Sequence, residues 1–129
     1  MMKKLVVAAA LVANSSVAGM AQDAQRGKTV FNVCLACHAI GPDAQNKIGP
    51  ELNGLDGRKA GTVPNFAYSD ANKNSGIVWN VMTFEGYIKD PRAKIPGTKM
   101  IFAGVKNEQQ VKDLWAYVSQ FAADGNTRQ

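Results

Sequence analysis

The chain has 129 residues, 46% of them hydrophobic and 19% charged, with 15 basic and 10 acidic side chains and a formal net charge of +5. That length suits one domain, and the composition is that of an ordinary globular chain. The basic excess is too small to point to nucleic acid, whose binding proteins carry a clustered basic face.

Met1-Met2-Lys3-Lys4 gives a basic start, Leu5 to Ala13 an apolar run, and Gly19-Met20-Ala21 a small-residue exit. Together these read as a secretory signal over residues 1–21, cleaved before Gln22. Nine apolar residues cover only about half of a ~30 Å hydrocarbon core, so a transmembrane anchor is not expected. Residues 22–129 then form a single exported domain. Loss of Lys3 and Lys4 lowers its basic count from 15 to 13, against 10 acids.

The first helix is expected from Asp23 to about Cys34, with Val30 and Phe31 at helical spacing and Asp23 favourably placed at its start. From Ala39 to Gly76, Gly41-Pro42, Gly49-Pro50, Gly54, Gly57, Gly61 and Pro64 punctuate the chain too often for long regular elements. A loop of that length in a small domain implies function, or a cofactor to wrap. A second helix is expected from Val81 to Asp90, capped by Asn80 and stopped by Pro91. Pro91 to Ala103 reads as another loop. The last helix is expected from Glu108 to Ala122, capped by Asn107, with Val111, Leu114, Trp115, Val118 and Phe121 on one stripe. Strand signals are weak throughout, so the expected fold class is a small all-α domain with long loops.

The chemistry sits in Cys34-Leu35-Ala36-Cys37-His38. A disulfide between Cys34 and Cys37 would close a tiny loop and constrain the unfolded chain little. A structural zinc site needs four protein ligands, and His38 is the chain's single histidine. A thioredoxin-like dithiol would need a βαβ context that is absent. C-x-x-C-H is the signature of c-type haem attachment, in which two thiols about one turn apart join the porphyrin and the next histidine reaches the iron. The cofactor expected is one covalent haem c.

The single histidine narrows the sixth iron ligand to Met, Lys or another donor, unless the iron is five-coordinate. Beyond residue 21 there are two methionines. Met82 falls within the second helix, where a methionine is ordinarily core filler or a surface residue. Met100 lies in Ile95-Pro96-Gly97-Thr98-Lys99-Met100-Ile101-Phe102-Ala103-Gly104, a loop shaped by Pro and Gly, and is the favoured ligand. His/Met ligation raises the reduction potential and leaves no open iron position, which favours electron transfer over catalysis.

With these residues in view, the chain resembles a class I cytochrome c, the mitochondrial-like fold in its bacterial periplasmic form (c-two type), over residues 23–122. The resemblance rests on the C-x-x-C-H motif, Ile48-Gly49-Pro50-Glu51-Leu52-Asn53-Gly54-Leu55, Gly57-Arg58, Phe66 to Lys73, Trp79, and Ile95 to Gly104. It implies N- and C-terminal helices that cross, with Gly27 and Phe31 against Leu114 and Tyr117, and long loops wrapped around the haem. By the same resemblance the Pro50 carbonyl accepts from His38 and orients it. Tyr87 and Thr98 would bond near Met100. Arg58, Tyr68, Asn72 and Trp79 would surround the propionates, and Phe102 would cover the haem face. The alternative, weighed as the lesser, is that Trp79 and Tyr87 are plain core aromatics and Arg58 a solvated turn residue. Two positions depart from the family. Asp56 stands where an aromatic is usual, and Phe66 where many relatives place a tyrosine that bonds a propionate.

The function expected is a soluble periplasmic carrier of single electrons, monomeric and not an enzyme. Quinol–cytochrome c reductase would be its donor and an oxidase or photosynthetic reaction centre its acceptor. The competing classes are an enzyme or gas sensor with an open iron, and a tethered domain of a larger complex. Arg92, Lys94, Lys99 and Lys106 flank the Met100 loop with no acid interspersed among them, and Lys28 and Lys47 extend the set as an expected docking surface.

Overall fold

In the computed structural model, residues 2, 4–12 and 21–128 are described. The exit Gly19-Met20 lies outside them. Residues 4–12 carry no regular secondary structure, and Leu5, Val6, Val7, Leu11 and Val12 are exposed. Among the described residues, no helix is long and apolar enough to cross a membrane.

The elements in order are α1 (Ala24–Phe31), a 3-10 turn (Asn32–Cys34), α2 (Asp70–Lys73), α3 (Val81–Ile88), α4 (Pro91–Lys94) and α5 (Glu108–Val118). Among the described residues the only β pairings are the isolated bridges Lys59–Val78 and Phe121–Thr127. The domain is all-α.

Each helix begins on a side-chain cap. Asp23 accepts from the Arg26 N–H, Asn107 from Gln110, and Asn80 from Thr83, whose hydroxyl accepts in return from the Asn80 N–H. α1 and α5 cross at Gly27. A Cβ there would stand 1.9 Å from the Asp113 carbonyl oxygen and 2.8 Å from Tyr117 Cβ, so only glycine allows this approach. Phe31 is buried at the crossing, its ring 5.3 Å from Tyr117. α3 closes on α5 through Phe84 and Trp115, 5.1 Å apart. The apolar stripe Val111, Leu114, Trp115 and Val118 is buried, as the periodicity requires.

Three expectations are corrected in detail. Pro91 ends α3 and also opens α4, because its fixed φ suits the first helical position and Asp90 caps it at Ala93. The long loop holds the short α2, capped by Ser69 on Asn72. α5 stops at Val118 rather than Ala122. The chain beyond it turns at Gly125 and folds back, with Ala122 N–H donating to Asn126 and Arg128 N–H to Gln120. That tail seats on the long loop through the Gly54 N–H, which donates to the Phe121 carbonyl.

Candidate haem site

The crossing helices and the long loop enclose an apolar cavity of about 540 Å³. Cys34 and Cys37 line it at the end of the 3-10 turn, both as free thiols. The turn continues into His38, whose N–H donates to the Cys34 carbonyl at 2.9 Å. Thiols and imidazole thus open onto one wall. Before attachment, burial, and secondarily Cys37, pushes the Cys34 thiol up to about 11.

His38 is nearly buried, and its Nδ1 lies 2.7 Å from the Pro50 carbonyl. Since that carbonyl can only accept, Nδ1 carries the proton and Nε2 keeps its lone pair. Burial holds the imidazole below its usual value, against the pull of the Pro50 bond, and the charges of Arg58 and Lys47 add to the lowering. Gly49 lets the loop pass under the ring: a Cβ there would lie 2.4 Å from His38 Cε1.

On the Met100 side, the Tyr87 hydroxyl donates to Met100 Sδ at 2.9 Å, and the Met100 N–H donates to Thr98 Oγ1 at 3.2 Å. Burial pushes the Tyr87 phenol up to about 12, which keeps it a donor. Trp79 packs edge-on against Tyr87 at 4.8 Å. Met100, Thr98, Phe102, Tyr87 and Trp79 all line the cavity that His38 lines. Met82 is not among the lining residues and is 81% exposed.

Arg58, Tyr68 and Asn72 also line the cavity. Arg58 is no solvated turn residue. Its Nη1 donates to the carbonyls of Glu51 and Asn53, both at 3.0 Å, and stands 3.8 Å from the Glu51 carboxylate. The Tyr68 oxygen accepts from the Val63 N–H at 3.0 Å, leaving its proton free to donate, and Phe66 stacks edge-on against it at 4.8 Å. Phe66 thus lines the cavity as an apolar wall. Asp56 is exposed on the tail side of the loop and meets Arg128 at 4.0 Å.

Among the described residues, Asn72 Oδ1 is the buried side-chain polar atom left without a partner. An unmet buried amide is costly unless a polar group reaches it. A broad apolar cavity lined by two thiols, an imidazole and a thioether fits a haem, and Asn72 Oδ1, which can only accept, calls for a donor such as water at its polar edge. These side chains would hold it, the thiols covalently.

Sequence reasoning missed Asn53 and Asp113. Asn53 is buried and bonds Gly41 twice, Gly41 N–H to Oδ1 at 2.8 Å and Nδ2 to Gly41 O at 2.9 Å. Asp113 is buried on α5 and accepts from Arg26 Nε, Gln109 Nε2 and the Asp23 N–H. Asp113 reads as a polar residue beside an apolar stripe and Asn53 as a turn residue before Gly54, so neither signalled its role.

Of the expected docking residues, Lys99 lines the cavity and all six are exposed. Their ammonium groups meet only carbonyls where they meet anything: Lys47 that of Leu35, Lys99 that of Ala67, Lys106 that of Lys89.

The cytochrome c family model matches residues 24–122. The chain is 67% identical over 106 residues to cytochrome c-550 of Bradyrhizobium diazoefficiens, covering 82% of this chain and 78% of that one. It is 61% identical over 127 residues to cytochrome c2 of Blastochloris viridis, covering 98% of this chain and all of that one. Its fold is similar to the solved cytochrome c2 of Rhodospirillum centenum, with a TM-score of 0.74 at 38% identity, over 78% of this chain and 98% of the other. Matched in sequence from α1 to the tail and in fold over most of its length, the chain belongs to the cytochrome c family, electron carriers that hold one haem c covalently.

Proposed function

We propose that residues 22–129 work as an exported, periplasmic shuttle with His38 and Met100 as axial ligands of the haem iron. The observation that carries this reading is the pairing of two positioned donors on one cavity. His38 is oriented by Pro50 and Met100 by the Tyr87 hydroxyl, while Met82 is exposed and outside that cavity. Haem supplies reversible one-electron chemistry at its iron. The protein supplies the rest. Pro50 fixes the imidazole and raises its donor strength. Tyr87 bonds the thioether and keeps a neutral environment around it. The buried aromatics exclude water. Held by His38 and Met100, the iron would have no open position for oxygen or peroxide, which supports a carrier over an enzyme.

The basic start and apolar run of residues 1–21 support export, as does the exposed, irregular course of residues 4–12 outside the packed domain. The exposed cations support partners with acidic faces on larger redox complexes; the donor proposed is a quinol–cytochrome c reductase and the acceptor an oxidase or photosynthetic reaction centre.

Ligation is tested on the purified holoprotein. Met100→Ala should abolish the iron–thioether charge-transfer band of the ferric state, admit carbon monoxide to the reduced state and lower the potential. Met82→Ala should leave all three unchanged. Carbon monoxide binding to the Met82 variant alone would overturn the assignment.

A further inference from the structure

Past His38, residues 37–41 and 49–53 run side by side. The Gly49 N–H donates to the Cys37 carbonyl at 2.7 Å, and the Leu52 N–H to the Ala39 carbonyl at 3.0 Å. The ladder cannot continue at Gly41, where φ is +103° and the backbone turns away. There the Asn53 side chain takes over. Its amide oxygen accepts and its NH2 donates, and the buried Gly41 presents one N–H and one C=O; both are matched, at 2.8 and 2.9 Å. Asn53 is held in turn from the other side. Its own N–H donates to Glu51 Oε2 at 2.7 Å, and its carbonyl accepts from Arg58. The tail closes the neck, since a Cβ on Gly125 would lie 2.3 Å from the Gly41 oxygen.

Pro50 sits between these rungs. The pairing of these two segments brackets the carbonyl that meets His38, and the Asn53 side chain extends that pairing to Gly41, closing the neck. We propose that Asn53 is a positioning residue for the haem ligand: by locking Gly41 it holds the Pro50 carbonyl on His38 Nδ1, and so sets the donor strength of the imidazole toward iron. The inference rests on His38 as an axial ligand. A more strongly donating imidazole stabilises the ferric state, so loosening the neck raises the reduction potential.

The experiment compares holoproteins of wild type, Asn53→Ala, Asn53→Ser and Val111→Ala. Val111 is buried between the helices and does not line the cavity, so it reports loss of packing alone. The readouts are solvent exchange of the His38 Nδ1 proton by NMR in the reduced state, and the reduction potential. Asn53→Ala should speed exchange at least tenfold and shift the potential upward, with Asn53→Ser moving both in the same direction by less. Should Asn53→Ala fail to fold, the serine variant carries the test. Val111→Ala should lose stability with both readouts at wild-type values. If the asparagine variants also lose stability but keep wild-type exchange and potential, Asn53 is a structural amide and the inference falls. Haem-shifted His38 ring resonances in the wild type test the ligation itself. Their absence would refute that reading, whereas their presence with unmoved variants would refute the neck alone.

Discussion

A single missing carbon governs how the loop meets the imidazole. Gly49 has no Cβ, and the ring of His38 occupies the space where one would stand, with Cε1, Nδ1 and Nε2 all within 2.8 Å of it. Gly57 offers a contrast within the same loop: its φ is +88°, but nothing lies within 4 Å of the added carbon. Gly57→Ala should therefore cost only backbone strain, about 1–2 kcal/mol. Gly49→Ala should cost on the order of 1–3 kcal/mol through overpacking and also displace the ring from Pro50. Denaturant unfolding of both holoproteins, with ferric absorption spectra, checks the pair. Equal stabilities with unchanged spectra would mean that the loop can retreat from the ring. Residues of this kind are half legible in a sequence. Cys34, Cys37 and His38 announce themselves by spacing, because the chemistry demands that spacing. Asn53 does not, because an asparagine before a glycine reads as a turn until Gly41 is seen beside it.

Between elements, the contact that positions everything else is α1 against α5. It joins a glycine to a buried acid. Asp113 is 2% exposed, and its carboxylate accepts from Arg26 Nε at 3.0 Å, Gln109 Nε2 at 2.9 Å and the Asp23 N–H at 2.9 Å. Burial alone would raise its pKa, but those hydrogen bonds outweigh burial and hold it below the usual carboxylate range. A depressed pKa in the folded state gives stability that is fully present above about pH 4, the unfolded value, and lost as pH falls through the folded value. Stability should therefore decline on acidification below about pH 4. Asp113→Asn should be less stable at neutral pH by roughly 1–3 kcal/mol, with the gap to wild type narrowing in acid. Chemical unfolding at pH 7 and pH 3 measures this; parallel acid profiles for the two proteins would remove Asp113 from the account. Helix identity at this scale was legible from caps and periodicity, and the ends were not. Asn80 and Asn107 marked true starts, whereas α5 ends at Val118, four residues short of the expected Ala122. Phe121 keeps its burial by packing on Tyr117 at 5.3 Å from a non-helical tail. Periodicity sees an apolar side chain at the right spacing and cannot tell which backbone carries it.

For the molecule as a whole, charge is distributed by pairing. Among the described residues from 21 onward, Arg26, Arg58, Lys73, Lys89, Lys112 and Arg128 each have an acidic partner within 4.0 Å. Lys28, Lys47, Lys59, Arg92, Lys94, Lys99 and Lys106 have none, and six of these seven are the cations expected to dock. Lys99, Ile48 and Ile101 lie at the cavity, and the two isoleucines are exposed. Of these cations Lys99 lines the cavity, and uncompensated charge beside a small apolar opening suits brief encounters, since such charges raise the association rate and orient the partners while adding little lasting affinity. The modest net charge means that steering must come from this local asymmetry. Electron-transfer rates with an acidic redox partner should accordingly fall as ionic strength rises, because screening shortens to ~8 Å at 0.15 M. Charge reversal at Lys94 or Lys99 should slow association well beyond reversal at Lys112, whose ammonium is 3.4 Å from Glu85 on the α3–α5 face. Stopped-flow rates across a salt series, taken where all three variants are fully folded, decide the matter. Equal slowing at the three sites, or rates indifferent to salt, would place the docking surface elsewhere.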